Sequence, residues 1–286
     1  LFRKGNHNCI TFSFFYAFSE NFVLPVSHDE VVHGKASLLN KMPGDYDMKF
    51  DGLRLFLAYM MAHPGKKLLF MGSEFGQFIE WNYKQGLDWL LLDYDKHRQT
   101  LEFSRELNKF YKEHSELWEI DYSWDGFQWI SSEDNCNSVI AFRRMNKKGE
   151  ELIAVFNWTP NSFDSYRIGV PKNGTYKVVF DTSLEKFGGD KHRMSGSYKS
   201  KKGSIHGYEQ YIDLKLHGLS AIFLKKTADK QLAKKDKPVK AEKEVAKPVK
   251  QQAVKTEVKE EKPVQEKSKQ TPPAKASKPN SKKSKR

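Results

Sequence analysis

The chain has 286 residues, room for one large domain or two ordinary ones, and a formal net charge of +13. That charge is local: residues 227–286 hold 19 Lys+Arg against 8 Asp+Glu, while the rest of the chain holds 30 against 28, so no basic folded surface is implied. Two cysteines and no run of about 18 apolar residues exclude a disulfide framework, a CxxC metal site and a membrane-spanning helix. No signal peptide is read, and the expected setting is reducing and cytoplasmic. The chain opens on Leu1 within sequence that reads as structured, which suggests a truncated product.

In chain order, "CITFSFFYAFSE" is apolar and ambiguous in period, with Phe14, Phe18 and Phe22 at helical spacing. "NFVLPVS" reads as a short strand, since Pro25 argues against helix. "MKFDGLRLFLAYMMAHPG" predicts a helix with Leu53, Phe56, Leu57, Met60 and Met61 on one face, stopped by Pro64 and Gly65. "KKLLFMG" predicts a strand buried on both faces. "TLEFSRELNKFYKEH" predicts an amphipathic helix with Phe103, Leu107, Phe110 and Tyr111 as its core stripe. Strand, helix, strand, helix with buried strands points to a parallel α/β sheet or barrel.

The texture changes after about Asp125. "FQWISS", "SVIAFRRM", "ELIAVFNW", "YRIGV", "TYKVVF", "YIDLKL" and "LSAIFLKK" are short and strand-like, separated by "EDNCN", "NKKG" and "PKNG". The spacing predicts an antiparallel β-sandwich. No aromatic residue follows Phe223, and residues 227–286 are rich in Lys, Ala, Pro and Glu. Such a segment has too few large apolar groups to offset the entropy of ordering, so it is expected to be a disordered extension. Its charge could attach loosely to a polyanion, but without an aromatic to stack on bases nucleic acid is not the expected partner. The sequons at Asn157 and Asn173 are short matches of the kind that arise by chance.

The stretch "SHDEVVH" carries the chemistry. A zincin helix needs two histidines four residues apart, whereas His28 and His33 are five apart, about 500° around a helix. Pro25 and Gly34 argue against a helix there too, so no metal is expected. A His-Asp pair at a strand end can simply tie loop backbone together. It can also grip a sugar: a carboxylate accepts from neighbouring hydroxyls and an imidazole donates to another. In a parallel barrel, residues just past a strand's C-terminal end point into the mouth, and "HDE" follows "VLPVS" in that position.

The stretches "NFVLPVSHDEVVHGK", "MPGD", "HPGKKLLFMGSEFGQFIEWN" and "LDWLLLDY" resemble the last part of the bacterial 1,4-α-glucan (glycogen) branching enzymes of the α-amylase superfamily. The resemblance covers nearly all of residues 1–225. It implies α/β plus all-β architecture: residues 1–124 as the last part of a (β/α)8 barrel of TIM type, 125–226 as a C-terminal all-β domain, and 227–286 as a tail with no counterpart. It implies that Asp29 is the carboxylate that stabilises the transition state and His28 its sugar-binding partner, with no catalytic role for Glu30 or His33. It implies an α-glucan substrate (glycogen or amylose) and no cofactor. Trp81 is the one tryptophan expected to touch sugar. Trp89 flanks the same loop, while Trp118, Trp124, Trp129 and Trp158 are expected to pack.

A retaining transfer between glucan chains needs two carboxyl groups about 5–5.5 Å apart. Asp29 and Glu30 are adjacent on a loop and do not make that pair. Glu74 in "GSEFG" is a candidate, but the resemblance places the nucleophile and the acid on earlier strands. The chain is therefore expected to be incomplete for catalysis and to dock with a missing N-terminal part of the barrel. The alternative is a non-catalytic glucan-binding or interaction fragment with a basic tail.

Overall fold

A computed structural model describes residues 3–190 and 196–227. The expected disordered tail lies outside the described residues. The aromatic N-terminal stretch is neither helix nor strand but two 3₁₀ segments, Lys4–Ile10 and Phe12–Phe15, with Phe14 buried. Strand β1 (Val23–Val26) and strand β2 (Lys66–Leu69) pair in parallel, Val23 opposite Lys66 through Val26 opposite Leu69. Helices α1 (Leu38–Lys41) and α2 (Tyr46–Ala62) connect them, and α3 (Asp95–Glu113) follows. Ser37 and Asp45 cap α1 and α2 by accepting the amides of Asn40 and Met48. His63, Pro64 and Gly65, the last at φ 108°, turn the chain from α2 into β2.

The expectation that β2 is buried on both faces is not met. Leu68 is 50% exposed, and Val23 on β1 is 51% exposed. Among the described residues each of the two strands pairs only with the other, so two edges stay open. Val26 and Leu69 turn instead toward the core built on α2 and α3.

Nine further strands form two antiparallel sheets. The six-stranded sheet runs β3 (Phe127–Asp134), β4 (Val139–Met145), β5 (Glu151–Asn157), β11 (Ser220–Lys226), β7 (Thr175–Asp181), β8 (Ser197–Lys199). The three-stranded sheet runs β6 (Phe163–Val170), β10 (Tyr208–Leu216), β9 (Lys201–Ile205). All seven strands expected from the sequence are present. Strands β8 and β9 were not anticipated: "SYKSKKGSI" is mostly exposed Lys, Ser and Gly and carries little apolar pattern.

The six-stranded sheet is covered on both sides. Val139, Ala141, Ile153, Val155, Ile222 and Leu224 face the three-stranded sheet, where Ile168, Val170, Ile212 and Leu214 meet them. The alternate residues Ile140, Phe142, Leu152, Ala154, Phe156 and Phe223 join the core of α2 and α3. Helices and sheet thus share one continuous core.

Polar groups fasten the same junction. The fully buried Arg144 guanidinium donates to the carbonyls of Gly126 (3.0 Å), Ala62 (2.7 Å) and Ile120 (3.3 Å), and to Asp121 Oδ1 (2.8 Å). Asp121 Oδ2 accepts from Lys66 Nζ at 2.9 Å. Asp121 thus pairs with both Arg144 and Lys66, the kind of partner a buried ion requires. Gly126 permits the approach, because a Cβ on it would lie 2.0 Å from the Ile120 carbonyl oxygen. Arg54, also buried, donates to the Thr182 carbonyl at 3.1 Å and pairs with Asp51.

Candidate functional site

Strand β1 hands the chain to a tight 3₁₀ turn, His28–Glu30, immediately past its C-terminal end. Ser27 caps the turn, its Oγ accepting the Asp29 amide at 3.3 Å. The turn lifts both side chains into solvent: His28 is 52% and Asp29 69% exposed, with His28 Nε2 3.4 Å from Asp29 Oδ1. The imidazole lies 5.9 Å from the Trp81 ring and 6.1 Å from Phe70, and Trp81 stands edge-on to Phe70 at 5.1 Å. The structure therefore brings together the three residues singled out from the sequence, His28, Asp29 and Trp81.

A short segment after β2, residues 78–81, holds the loop that follows. The Trp81 amide donates to the Val31 carbonyl at 2.8 Å, and Val32 and Trp81 form an isolated parallel bridge. Ser37 Oγ donates to the Phe78 carbonyl at 2.9 Å. Glu80 accepts the amides of Gly34 and Ala36, and these hydrogen bonds hold its carboxyl below the ordinary range. Lys41 closes the near side by donating to the Glu30 carbonyl. Sequence reasoning missed Glu80, since its partners are 44 and 46 positions away and no short motif announces such a bond.

The other candidates have partners of their own. Glu74 sits in the 3₁₀ turn Ser73–Phe75, and α3 secures its backbone: Ser104 Oγ donates to the Glu74 carbonyl at 2.8 Å. Buried His97, whose pKa burial lowers, donates from Nδ1 to the Phe75 carbonyl at 2.9 Å. Among the described residues no hydrogen bond or ion pair links the Glu74 carboxylate to Asp29. Glu30 lies 3.7 Å from Lys41 Nζ, and His33 Nδ1 lies 3.3 Å from Glu80. Trp89 is 57% exposed and leans on Phe75 at 5.1 Å.

Trp129 and Trp158 pack edge-on against Phe142 and Tyr59, and Trp124 packs on Phe18 while remaining half exposed. A cavity of about 480 Å³ is lined by Phe14, Phe15, Trp124 and Trp129 and does not include His28 or Asp29 in its wall. Among the described residues no group of three or more His, Cys, Asp or Glu could hold a metal ion, and no helix is long and apolar enough to cross a membrane.

An exposed carboxylate, an exposed imidazole and an indole edge at one strand end suit a polyhydroxyl ligand. The carboxylate accepts hydroxyl hydrogens, the imidazole donates, and the indole covers a sugar's C–H face.

The family described as the alpha amylase C-terminal all-beta domain matches residues 129–227. The chain is 55% identical over 226 residues to the 1,4-alpha-glucan branching enzyme GlgB of Halothermothrix orenii, covering 79% of this chain and 36% of that protein. It is 45% identical over 244 residues to GlgB 1 of Clostridium perfringens strain SM101, covering 83% and 36%. Among solved structures, pullulanase type I from Bacillus subtilis strain 168, complexed with maltose, is similar in fold, with a TM-score of 0.51 at 16% identity over 72% of this chain and 27% of that one. The chain spans 36% of the length of the curated relatives it matches. With the all-β domain matched and 45% to 55% identity over 79% to 83% of its length, the chain is homologous to the C-terminal portion of the bacterial 1,4-α-glucan branching enzymes.

Proposed function

We propose that the chain supplies the end of the catalytic domain and the following all-β domain of a glycogen branching enzyme. Residues 1–124 are the last part of a (β/α)8 barrel, and residues 125–226 are the C-terminal domain packed against it. The complete barrel performs a retaining transfer. A carboxylate attacks C1 of an α-1,4 glucan while a carboxylic acid protonates the departing O4. The 6-hydroxyl of an acceptor chain then attacks C1, giving its proton to the conjugate base and releasing the nucleophile.

Asp29 assists both steps. It accepts hydroxyl hydrogens of the sugar, and those bonds strengthen as the ring flattens toward an oxocarbenium ion. His28 donates to a hydroxyl of the same sugar, and Trp81 covers its apolar face. The nucleophile and the acid come from barrel strands outside these 286 residues. The observation that carries the reading is the placement of exposed His28 and Asp29 beside Trp81 at the C-terminal end of β1.

The test is complementation. This chain is combined with the N-terminal portion of the Halothermothrix relative, and α-1,6 linkages are scored by iodine-stain shift and debranching. Asp29→Asn is expected to lower branching by about 100-fold or more at unchanged Tm, and His28→Ala by less. Near wild-type turnover in Asp29→Asn overturns the assignment. The lone chain is expected to form no α-1,6 linkages. Branching by it that Glu74→Gln abolishes would give Glu74 the chemistry instead. The non-catalytic glucan-binding reading is favoured by one observation, that no second carboxylate is bonded beside Asp29 among the described residues. It stands if complementation fails while the chain binds maltoheptaose.

A further inference from the structure

Ala36 lies in the left-handed backbone region at φ 61°, two residues after Gly34 at φ 82°. Glycine enters that region freely, whereas the Cβ of alanine crowds the adjoining carbonyl. The neighbours must therefore hold Ala36 there. Glu80 does so with both carboxylate oxygens: Oε1 accepts the Ala36 amide at 2.8 Å and Oε2 accepts the Gly34 amide at 3.1 Å. Its side chain is 32% exposed, and the His33 ring, with Nδ1 3.3 Å from Oε2, stands fully exposed beside it.

The same short segment carries the other tethers of this loop. The Phe78 carbonyl holds Ser37, and the Trp81 amide holds Val31. Trp81 is also the indole against which His28 rests. Segment 78–81 thus fixes the loop at 31, 34, 36 and 37 and presents the aromatic surface beside the site. Glu80 supplies the side-chain acceptor for two of these tethers, so both can be altered by one substitution without breaking the backbone.

We propose that Glu80 is the positioning residue of the His28–Asp29 loop, holding Gly34 and Ala36 in left-handed conformations so that both side chains stand beside Trp81 for the glucan-facing role proposed above, on which this inference rests. Glutamine in its place keeps one acceptor oxygen and turns an NH₂ group toward a backbone N–H, so one of the two amides loses its partner.

The test uses the 286-residue chain with Glu80→Gln, Glu80→Ala, the double variant Glu80→Gln/Ala36→Gly, and the half-exposed Glu102→Gln on α3 as a control. Amide exchange over residues 31–37 is expected to quicken about tenfold in Glu80→Gln, with α2, α3 and Tm unchanged. The NMR shift that the Trp81 ring imposes on the His28 ring protons is expected to shrink. Ala36→Gly is expected to restore part of both, because glycine keeps the turn without the carboxylate. Maltoheptaose binding is expected to weaken about tenfold alongside.

Unchanged exchange and an unchanged His28 spectrum in Glu80→Ala would overturn the proposal. Faster exchange spread evenly through α2 and α3 would overturn it too, showing Glu80 to be a general stabiliser. Loosening of the loop with no change in maltoheptaose binding would refute the positioning role. Wild-type protein that binds no maltoheptaose would instead sink the glucan reading beneath it, and the exchange result distinguishes that failure from the others.

Discussion

The two-stranded β1–β2 pair and the six-stranded sheet are both written in short apolar runs, yet they sit in opposite surroundings. "VLPV" and "KKLL" leave Val23 and Leu68 half exposed, and both outer edges are open among the described residues. "VIAF", "LIAVF" and "AIFL" in β4, β5 and β11 are buried on both faces, although their sheet is antiparallel. A continuous apolar run therefore reports how many faces are covered, not which way the strands run. Strands β6 and β10 complete the contrast: covered on one side, they alternate buried Ile168, Ile212 and Leu214 with outward Arg167, Asp213 and Lys215. Apolar runs left uncovered in β1 and β2 support the reading that further barrel strands pack there.

The contrast breaks most readily at the sheet face turned toward the helices. Phe156 is fully buried, 5.4 Å from the rings of both Phe142 and Tyr59 and 6.0 Å from Phe223. Phe156→Ala should cost about 3–5 kcal/mol in urea unfolding. Far-UV circular dichroism and tryptophan fluorescence should fall together, since helices and sheet share this core. Two separated transitions would show that the α/β layer and the β-sheets are independent, and the comparison would have to be redrawn at Asp125.

The polar fastening of the same junction ranks next. Arg144→Met removes five N–H donors that serve three carbonyls and Asp121, and leaves Asp121 with Lys66 alone. The expected loss is about 3 kcal/mol, from the carbonyls and carboxylate left short of partners. A change under about 1 kcal/mol would show that water enters and that the junction is less dry than its burial indicates.

How much of this was legible in the sequence differs between the regions. The strands of the β-sheets announced themselves because Val, Ile and Phe alternate with turn formers such as Asn146–Gly149. Helices α2 and α3 did so by their apolar spacing, and α2 also by the stop at Pro64 and Gly65. Strands β8 and β9 were hidden because an edge strand made of Lys, Ser and Gly holds its place by backbone bonds, which leave no side-chain pattern. At the site, His28 and Asp29 could be read from their place after an apolar run. Glu80 could not, because its partners are backbone amides far along the chain.

Acid separates the junction from the exposed pair by a smaller amount. His63, at the end of α2, is nearly buried; its Nδ1 donates to the Pro64 carbonyl at 2.7 Å and its Nε2 accepts from Ser13 Oγ at 2.8 Å. Burial, with Lys67 and Arg144 nearby, lowers its pKa to about 4, below the unfolded value of 6.5. The unfolded chain then binds the proton more readily, so the neutral ring's contribution is present above pH 6.5 and is lost as pH falls toward 4. Wild type should lose about 2 kcal/mol more than His63→Asn between pH 7 and 4, measured as paired urea curves. Parallel curves for the two proteins would mean that the ring charges without penalty.

The smallest expected effect sharpens the comparison from the exposed side. Leu68 is as apolar as Ile153, yet half of it faces solvent, so little area returns to water when it is replaced. Leu68→Thr keeps a residue suited to strands and should change stability by less than about 0.5 kcal/mol, whereas Ile153→Thr in the six-stranded sheet should cost several-fold more. Solubility should respond in the opposite order, because Leu68 and Val23 lie on strands with open edges that can pair with another chain. Sedimentation of the 286-residue chain should then show less self-association in Leu68→Thr than in wild type. A Leu68→Thr protein as unstable as Ile153→Thr would mean that β1 and β2 are already covered in solution. In that case the complementation assay, where the missing strands compete for the same surface, should show the covering group being displaced.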